Sequence, residues 1–344
     1  MLFDLKPKEE MKDFFNYKEE LDSFVRYLTD KSTRMIIIRG LRRTGKSSLL
    51  RVGLRKAKLR FVLIDVRELT SLTRRSFESK LIEELRTIKG LPASLMERIE
   101  GIDTGLRISL RHDESVWEIL KRINPVIAVD EVQMLRGTGV EAFFAAVYDN
   151  TKCKIVLTGS EIGVLEDFLG KDNPKAPLFG RVYAEIKMHS LTTDKAKQFL
   201  TLGFKEIDKT IQETTANKAL EELDGIVGWL AMFGNLSISL DQETALKRAV
   251  VNGAKLAYSE VESFLGSRLS AKKRYLALLR ILAERNMGWG ELKRALQIEL
   301  KELLSDPQFT NYLNSLMDYG FITYSDSEKV YSIPDPLLRK ALLH

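Results

Sequence analysis

The sequence predicts an α/β fold in three parts: a parallel sheet between layers of helices, then a helical segment, then a terminal winged helix. Three observations carry this. Apolar, β-branched runs alternate with helical periodicity through the first half of the 344 residues. A glycine-rich run from Gly40 to Ser47 stands between one apolar run and a helix-like stretch. Strand signals vanish after Thr193 and return only as a short pair after Phe321.

The candidate strands are residues 35–39, 61–66, 126–130, 154–158 and 182–186. Amphipathic patterns lie between them, such as Phe77, Leu81, Ile82, Leu85 and Ile88 at helical spacing. The stretch from Arg67 to Lys121 is too long for a simple crossover. It is expected to hold extra helices and a hairpin through Leu106, Arg107, Ile108, Ser109 and Leu110. Beyond Thr193, helical patterns run through Ala196-Phe199-Leu200, Ala219-Leu220-Leu223, Ala245-Ala249-Val250 and residues 256–264. Three further helices (274–284, 290–296 and 308–319) precede two short strands at 321–324 and 330–333, the plan of a winged helix. The expected division is therefore 1–192, 193–268 and 269–344.

Bulk composition narrows the function classes. Hydrophobic content of 44% with 30% charged residues describes a globular chain. Its net charge of +6 permits contact with nucleic acid without requiring it. The single cysteine, Cys153, excludes an intramolecular disulfide and reads as structural. The isolated His112, His189 and His344 give no zinc pattern. No apolar stretch is long enough to span a bilayer, and Met1-Leu2-Phe3-Asp4 does not read as a signal peptide, so a cytoplasmic location without membrane contact is expected.

Gly40-Leu41-Arg42-Arg43-Thr44-Gly45-Lys46-Ser47 fits the phosphate-loop pattern G-x-x-x-x-G-K-[ST]. A strand delivers such a loop and a helix begins beneath it, so unpaired backbone N–H groups face the phosphates. Lys46 can reach the β- and γ-phosphates, the Ser47 hydroxyl can ligate Mg²⁺, and Ser48 continues the first helical turn. The implied ligands are ATP or ADP with Mg²⁺.

Residues 125–131 form an apolar run closed by two carboxylates. A buried parallel strand carries such residues at its carboxyl end. Asp130 would join Ser47 in holding Mg²⁺, and Glu131 would orient and deprotonate the attacking water. Gln133 either contacts that water, relays to another domain, or is a plain polar surface residue. On the next strand, Thr158 and Ser160 are alternative contacts for the γ-phosphate. Arg181 is either a charge-neutralising arginine or an ordinary surface ion-pair partner. The basic cluster Arg51, Arg55, Lys56, Lys58 and Arg60 reads as a solvated helix exterior.

Together these motifs resemble the archaeal AAA+-type (ASCE) ATPases, relatives of the STAND signal-transduction NTPases and of archaeal replication initiators. The resemblance runs along essentially the whole chain. It rests on Gly40 to Leu49, Val129-Asp130-Glu131-Val132-Gln133, Leu157-Thr158-Gly159-Ser160-Glu161 and Pro177-Leu178-Phe179-Gly180-Arg181, with Asp13-Phe14-Phe15 and Gly228-Trp229-Leu230 adding to it. It implies an ATPase core, a helical lid and a winged helix, and it places Arg181 in a functional Gly-Arg element. It also implies that Phe15 and Asn16 lie near the base. The chain departs from the family where Asp-Arg-Glu is replaced by Asn16-Tyr17-Lys18, and where Val227 replaces the proline of the lid element.

The predicted third winged-helix helix has no basic residue, and the turn Ser325-Asp326-Ser327-Glu328 is acidic. That removes much of the electrostatic attraction a DNA reader needs. Lys272, Lys273, Arg274, Lys293 and Arg294 lie nearby. The module therefore reads as either a protein-docking or a duplex-DNA-binding element. The functional expectation is an ATP-hydrolysing regulatory switch. The alternatives are a nucleotide-binding scaffold with negligible turnover and a DNA-associated ATPase. The sequence does not fix the oligomeric state.

Overall fold

A computed structural model describes residues 1–100 and 114–343. The suggested hairpin at 106–110, together with His112 and His344, lies outside the described residues. The chain divides into a sheet unit, Pro7–Leu41 with Gly45–Met188, and a helical unit, Met1–Lys6 with Arg42–Thr44 and His189–His344.

In the sheet unit the order is α1 (Lys18–Thr29), β1 (Met35–Gly40), α2 (Lys46–Ala57), β2 (Phe61–Asp65), α3 (Arg74–Arg86), α4 (Ala93–Glu100), α5 (Glu114–Ile123), β3 (Val126–Asp130), α6 (Val140–Asn150), β4 (Lys154–Gly159), α7 (Ile162–Leu169) and β5 (Ala184–Met188). The five strands are parallel and lie in the order β2-β3-β4-β1-β5. The residues of β3 are all buried, and those of β1 and β4 nearly so, as a sheet covered on both faces requires. One face is filled by rings that meet edge-on: Phe77 lies 5.6 Å from Phe143 and 5.6 Å from Phe144, and Phe144 lies 6.2 Å from Phe168. On the other side α1 packs on α2. Gly53 permits this approach, because a Cβ there would stand 2.2 Å from the Phe24 ring.

Strand placement follows the apolar runs, with β5 and β6 each beginning two residues later than expected. β5 begins at Ala184 rather than 182, and its register pairs Ile36 with Ala184 while Val182 stays 78% exposed. The long Arg67-to-Lys121 stretch holds α3, α4 and α5. Cys153 is fully buried, and that burial pushes its thiol up to about 11, which keeps it unreactive.

The helical unit contains α8 (Thr193–Glu206), α9 (Glu213–Leu223), α10 (Val227–Leu236), α11 (Gln242–Gly266), α12 (Lys272–Glu284), α13 (Trp289–Leu300), α14 (Asp306–Asp318), β6 (Thr323–Ser325), β7 (Val330–Ser332) and α15 (Pro336–Leu343). Two apolar patterns of the sequence merge into the single 25-residue α11, capped by Asp241, whose side chain accepts from the Thr244 N–H at 2.9 Å. α14 starts in a Ser305–Gln308 capping box and ends in a Schellman turn. In that turn Phe321 N–H reaches Leu316 O at 3.0 Å and Gly320 N–H reaches Met317 O at 2.9 Å. β6 and β7 pair antiparallel as the wing, and Met287 bridges to Tyr331. The last helix, α15, has no counterpart among the sequence expectations. It packs on α11 and α12, where Gly253 leaves room for Leu337.

The first six residues are built into the helical unit. Phe3 is fully buried, with its ring 5.8 Å from Phe199 and 5.3 Å from Phe204. Gly203 and Gly234 form the slot: a Cβ on either would come within 2.3 Å of the Phe3 ring. Leu2 N–H donates to Glu206, and Asn235 donates to Phe3 O at 3.1 Å. Phe3→Ala should therefore cost about 3–5 kcal/mol, read as a lowered urea midpoint by far-UV circular dichroism. An unchanged midpoint would show that the segment adds nothing to this core.

Candidate functional site

The strand order decides which side chains can meet. β4 lies between β1, which delivers the glycine-rich loop, and β3, which carries the acidic pair. The registers place Thr158 beside Ile38 on one side and Leu157 beside Val129 on the other. Thr158 thus ends up one strand from both the loop and Asp130.

The loop leaves β1 at Gly40, where a Cβ would stand 2.3 Å from Met188 O on β5. Close strand approach therefore demands glycine here, independently of any ligand. Gly45 caps α2 at φ 93°, a conformation that favours glycine. The helix then begins with Lys46, Ser47 and Ser48, whose N–H groups have no acceptor within the helix. Lys46 is 4% exposed and folds back across the loop, its Nζ donating to Gly40 O at 2.9 Å and Leu41 O at 2.7 Å. Thr44 is buried.

Asp130 is 1% exposed. Burial holds its carboxyl above the ordinary range, and hydrogen bonds from Ser47 and Thr158 partly offset this. The Thr158 hydroxyl donates to Asp130 Oδ1 and accepts from the Glu131 N–H at 3.3 Å. Glu131 sits at φ 56°, a left-handed position for a non-glycine residue that stores about 1–3 kcal/mol of strain. Its Oε2 accepts from Ser160 Oγ at 2.9 Å and Gln133 Nε2 at 2.5 Å. Gln133 is buried, not surface polarity, and its Oε1 has no hydrogen-bond partner among the described residues.

The paired Ser47 hydroxyl and Asp130 carboxylate form a hard-oxygen donor set. They suit a cation such as Mg²⁺ that keeps several waters and uses one or two protein ligands plus phosphate oxygens. Among the described residues no three His, Cys, Asp or Glu side chains form an all-protein metal cage.

Two residues that the sequence reading passed over complete this cluster. Asp65 ends β2 and lies level with Asp130 in the register. Arg67 follows on a 3-10 turn, its Nε on Asp65 Oδ1 at 2.8 Å and its Nη2 on Asp65 Oδ2 at 2.6 Å and Asp130 Oδ2 at 3.4 Å. Burial raises the Asp65 carboxyl, but the Arg67 hydrogen bonds and charge outweigh it and hold it below the ordinary range. The signal was present in the sequence: β2, like β3, is an apolar run that ends in aspartate.

Arg181 lies apart from this cluster. The Arg181 guanidinium binds Asp149 at 2.5 Å and stacks 5.8 Å from the Tyr148 ring. Asp149 closes α6, the helix that enters β4 at its amino end. The structure therefore does not bring Arg181 to the Lys46–Asp130 cluster. Ahead of Phe15 and Asn16, the Lys8 N–H donates to Ser48 Oγ at 2.9 Å. Asn16 and Tyr17 both adopt left-handed backbone, at φ 62° and 52°, and Phe15 is half-buried. The basic cluster on α2 is paired: Arg51 and Arg55 with Glu9, and Lys56 with Asp22.

Arg42 and Arg43 pack within the helical unit. Arg43 lies 4.0 Å over the Trp229 ring and 2.5 Å from Glu260, and its carbonyl accepts from Gly228 N–H at 3.0 Å. Arg42 reaches Glu260 at 3.2 Å and donates to Tyr319 O at 2.9 Å. Trp229 Nε1 is held by Asp335 at 3.1 Å. Val227 is the first residue of α10, a position where proline would fit equally well.

Comparison with known proteins agrees with this layout. An ATPase domain predominantly from Archaea matches residues 14–233, and the C-terminal winged helix-turn-helix domain of MCM proteins matches residues 269–333. The Walker-type ATPase of Pyrococcus abyssi is 30% identical, with a TM-score of 0.82 over 99% of both chains. The ORC2 protein of Aeropyrum pernix, solved in ADPNP–ADP complexes, is 13% identical with a TM-score of 0.61, covering 99% of this chain and 95% of its own, and shares the fold. No curated protein matches the sequence. With a Walker-type loop, a parallel sheet and a winged helix in place, the chain belongs to the family of ATPase domains found predominantly in Archaea.

Proposed function

We propose that this chain binds ATP with Mg²⁺ and hydrolyses it, using nucleotide state to regulate what its winged helix engages. The observation that carries the reading is the convergence of Lys46, Ser47, Asp130, Glu131 and Thr158 at the carboxyl ends of adjacent strands. The first N–H groups of α2 and the Lys46 ammonium bind the phosphates. Lys46 already bonds two loop carbonyls, so phosphate oxygens replace acceptors it holds now. Ser47 and Asp130 would hold Mg²⁺, which supplies charge neutralisation to the phosphates. Glu131 takes the proton of a water that attacks the γ-phosphorus as the bond to the ADP oxygen breaks. Thr158 fixes the acidic pair, and Ser160 with Gln133 sets the Glu131 carboxylate.

In this reading residues 193–268 act as the lid and 269–344 as the output module. A protein partner suits the module better than duplex DNA. α14 carries no basic residue, and of the cations nearby Lys293 is paired with Asp306 and Arg274 with Glu302. Among the described residues no helix is long and apolar enough to cross a membrane.

Lys46→Ala should weaken ATP binding about tenfold to a hundredfold by calorimetry. Unchanged affinity would remove the loop from the site. Glu131→Gln should keep ATP affinity and lose about 10²–10⁴ in steady-state phosphate release. A scaffold without turnover would show no such loss. Duplex DNA should neither stimulate hydrolysis nor bind with a steep salt dependence. A log–log slope corresponding to several released counterions would favour the DNA-associated alternative.

A further inference from the structure

Three carboxylates, Asp65, Asp130 and Glu131, end two neighbouring strands, and β-strand neighbours lie only about 4.8 Å apart. Like charges so close in a half-buried setting repel strongly unless a cation intervenes. Arg67 is that cation, and its grip is uneven. It holds Asp65 through two short parallel bonds, at 2.8 and 2.6 Å, the geometry of a strong guanidinium–carboxylate fork. Its reach to Asp130 Oδ2 is a single long contact of 3.4 Å. The other Asp130 oxygen, Oδ1, is bonded by Thr158. Arg67 thus reaches, by one long contact, a buried carboxylate that the Thr158 and Ser47 hydroxyls also bond. The guanidinium that touches it is 48% exposed and free to lean toward solvent while anchored on Asp65.

We propose that Arg67 is a positioning residue, the resident counter-cation of this carboxyl edge, which shares Asp130 with the divalent cation that accompanies nucleotide and cedes it on loading. Asp65 is its tether: the fork keeps the guanidinium off Asp130 by most of its strength. Arg67 thereby suppresses cation capture by the nucleotide-free protein and ties cation entry to the arrival of phosphates. This rests on the reading of Asp130 as the Mg²⁺-facing carboxylate.

The test uses the full-length, nucleotide-free chain with Mn²⁺ alone as the probe, titrated by electron paramagnetic resonance, with circular dichroism to verify folding. Arg67→Gln should bind Mn²⁺ about tenfold more tightly than wild type, the loss of one charge-assisted competitor. Asp65→Asn, which frees Arg67 to settle on Asp130, should bind it more weakly than wild type. Equal Mn²⁺ affinity in wild type and Arg67→Gln, or tighter binding in Asp65→Asn, overturns the proposal. Mn²⁺-dependent ATP binding by wild type is measured alongside. Its absence would instead overturn the nucleotide-site reading on which the proposal stands.

Discussion

A carboxylate buried at the end of a strand must be answered by donors, and much of the sheet unit is arranged around that demand at Asp130. Desolvation alone would drive its proton on. Ser47 from the helix under the loop and Thr158 from the intervening strand supply hydrogen bonds, and Arg67 from the turn after β2 supplies charge. Each donor arrives on a different element, so the parallel registers among β1, β2, β3 and β4 must all hold for the set to assemble. Insertion of β4 between β1 and β3 is the topological condition that makes this possible.

The same logic of satisfied polar groups governs the helical unit. Trp229 is fully buried, yet its indole N–H finds Asp335, and its ring faces the Arg43 guanidinium. Glu260 takes Arg42 and Arg43 together. Arg42 and Arg43 of the glycine-rich loop thereby belong to the same compact unit as the wing, and Phe321 and Tyr319 at the end of α14 flank Arg42. Phe3 closes the opposite business of this unit, its apolar core, by filling a slot that two glycines leave open.

Much of this was legible in the sequence because burial of parallel strands writes long apolar runs, and because a phosphate loop has a rigid residue pattern. Strands near 35, 61, 126 and 154 were readable for the first reason, and Lys46 and Ser47 for the second. Asp65 ends an apolar run as Asp130 does, but its tie to the site through Arg67 emerges only when the register sets it beside Asp130. The eight residues of α15 are too short for helical periodicity to stand out after a strand. The start of β5 depends on pairing with Ile36 rather than on local apolarity, so the exposed Val182 was misplaced into it. Arg181 is held by an ion pair with Asp149 and lies over the Tyr148 ring, contacts that the Gly-Arg pattern alone does not show.

Whether the buried Asp130 centre organises phosphate chemistry is read from single-turnover phosphate release from bound ATP, with and without Mg²⁺, in wild type and Asp130→Asn, with ATP binding measured in parallel. Release should require both Mg²⁺ and the Asp130 carboxylate while the variant still binds ATP. Phosphate release at the wild-type rate from Asp130→Asn would remove Asp130 from the chemistry.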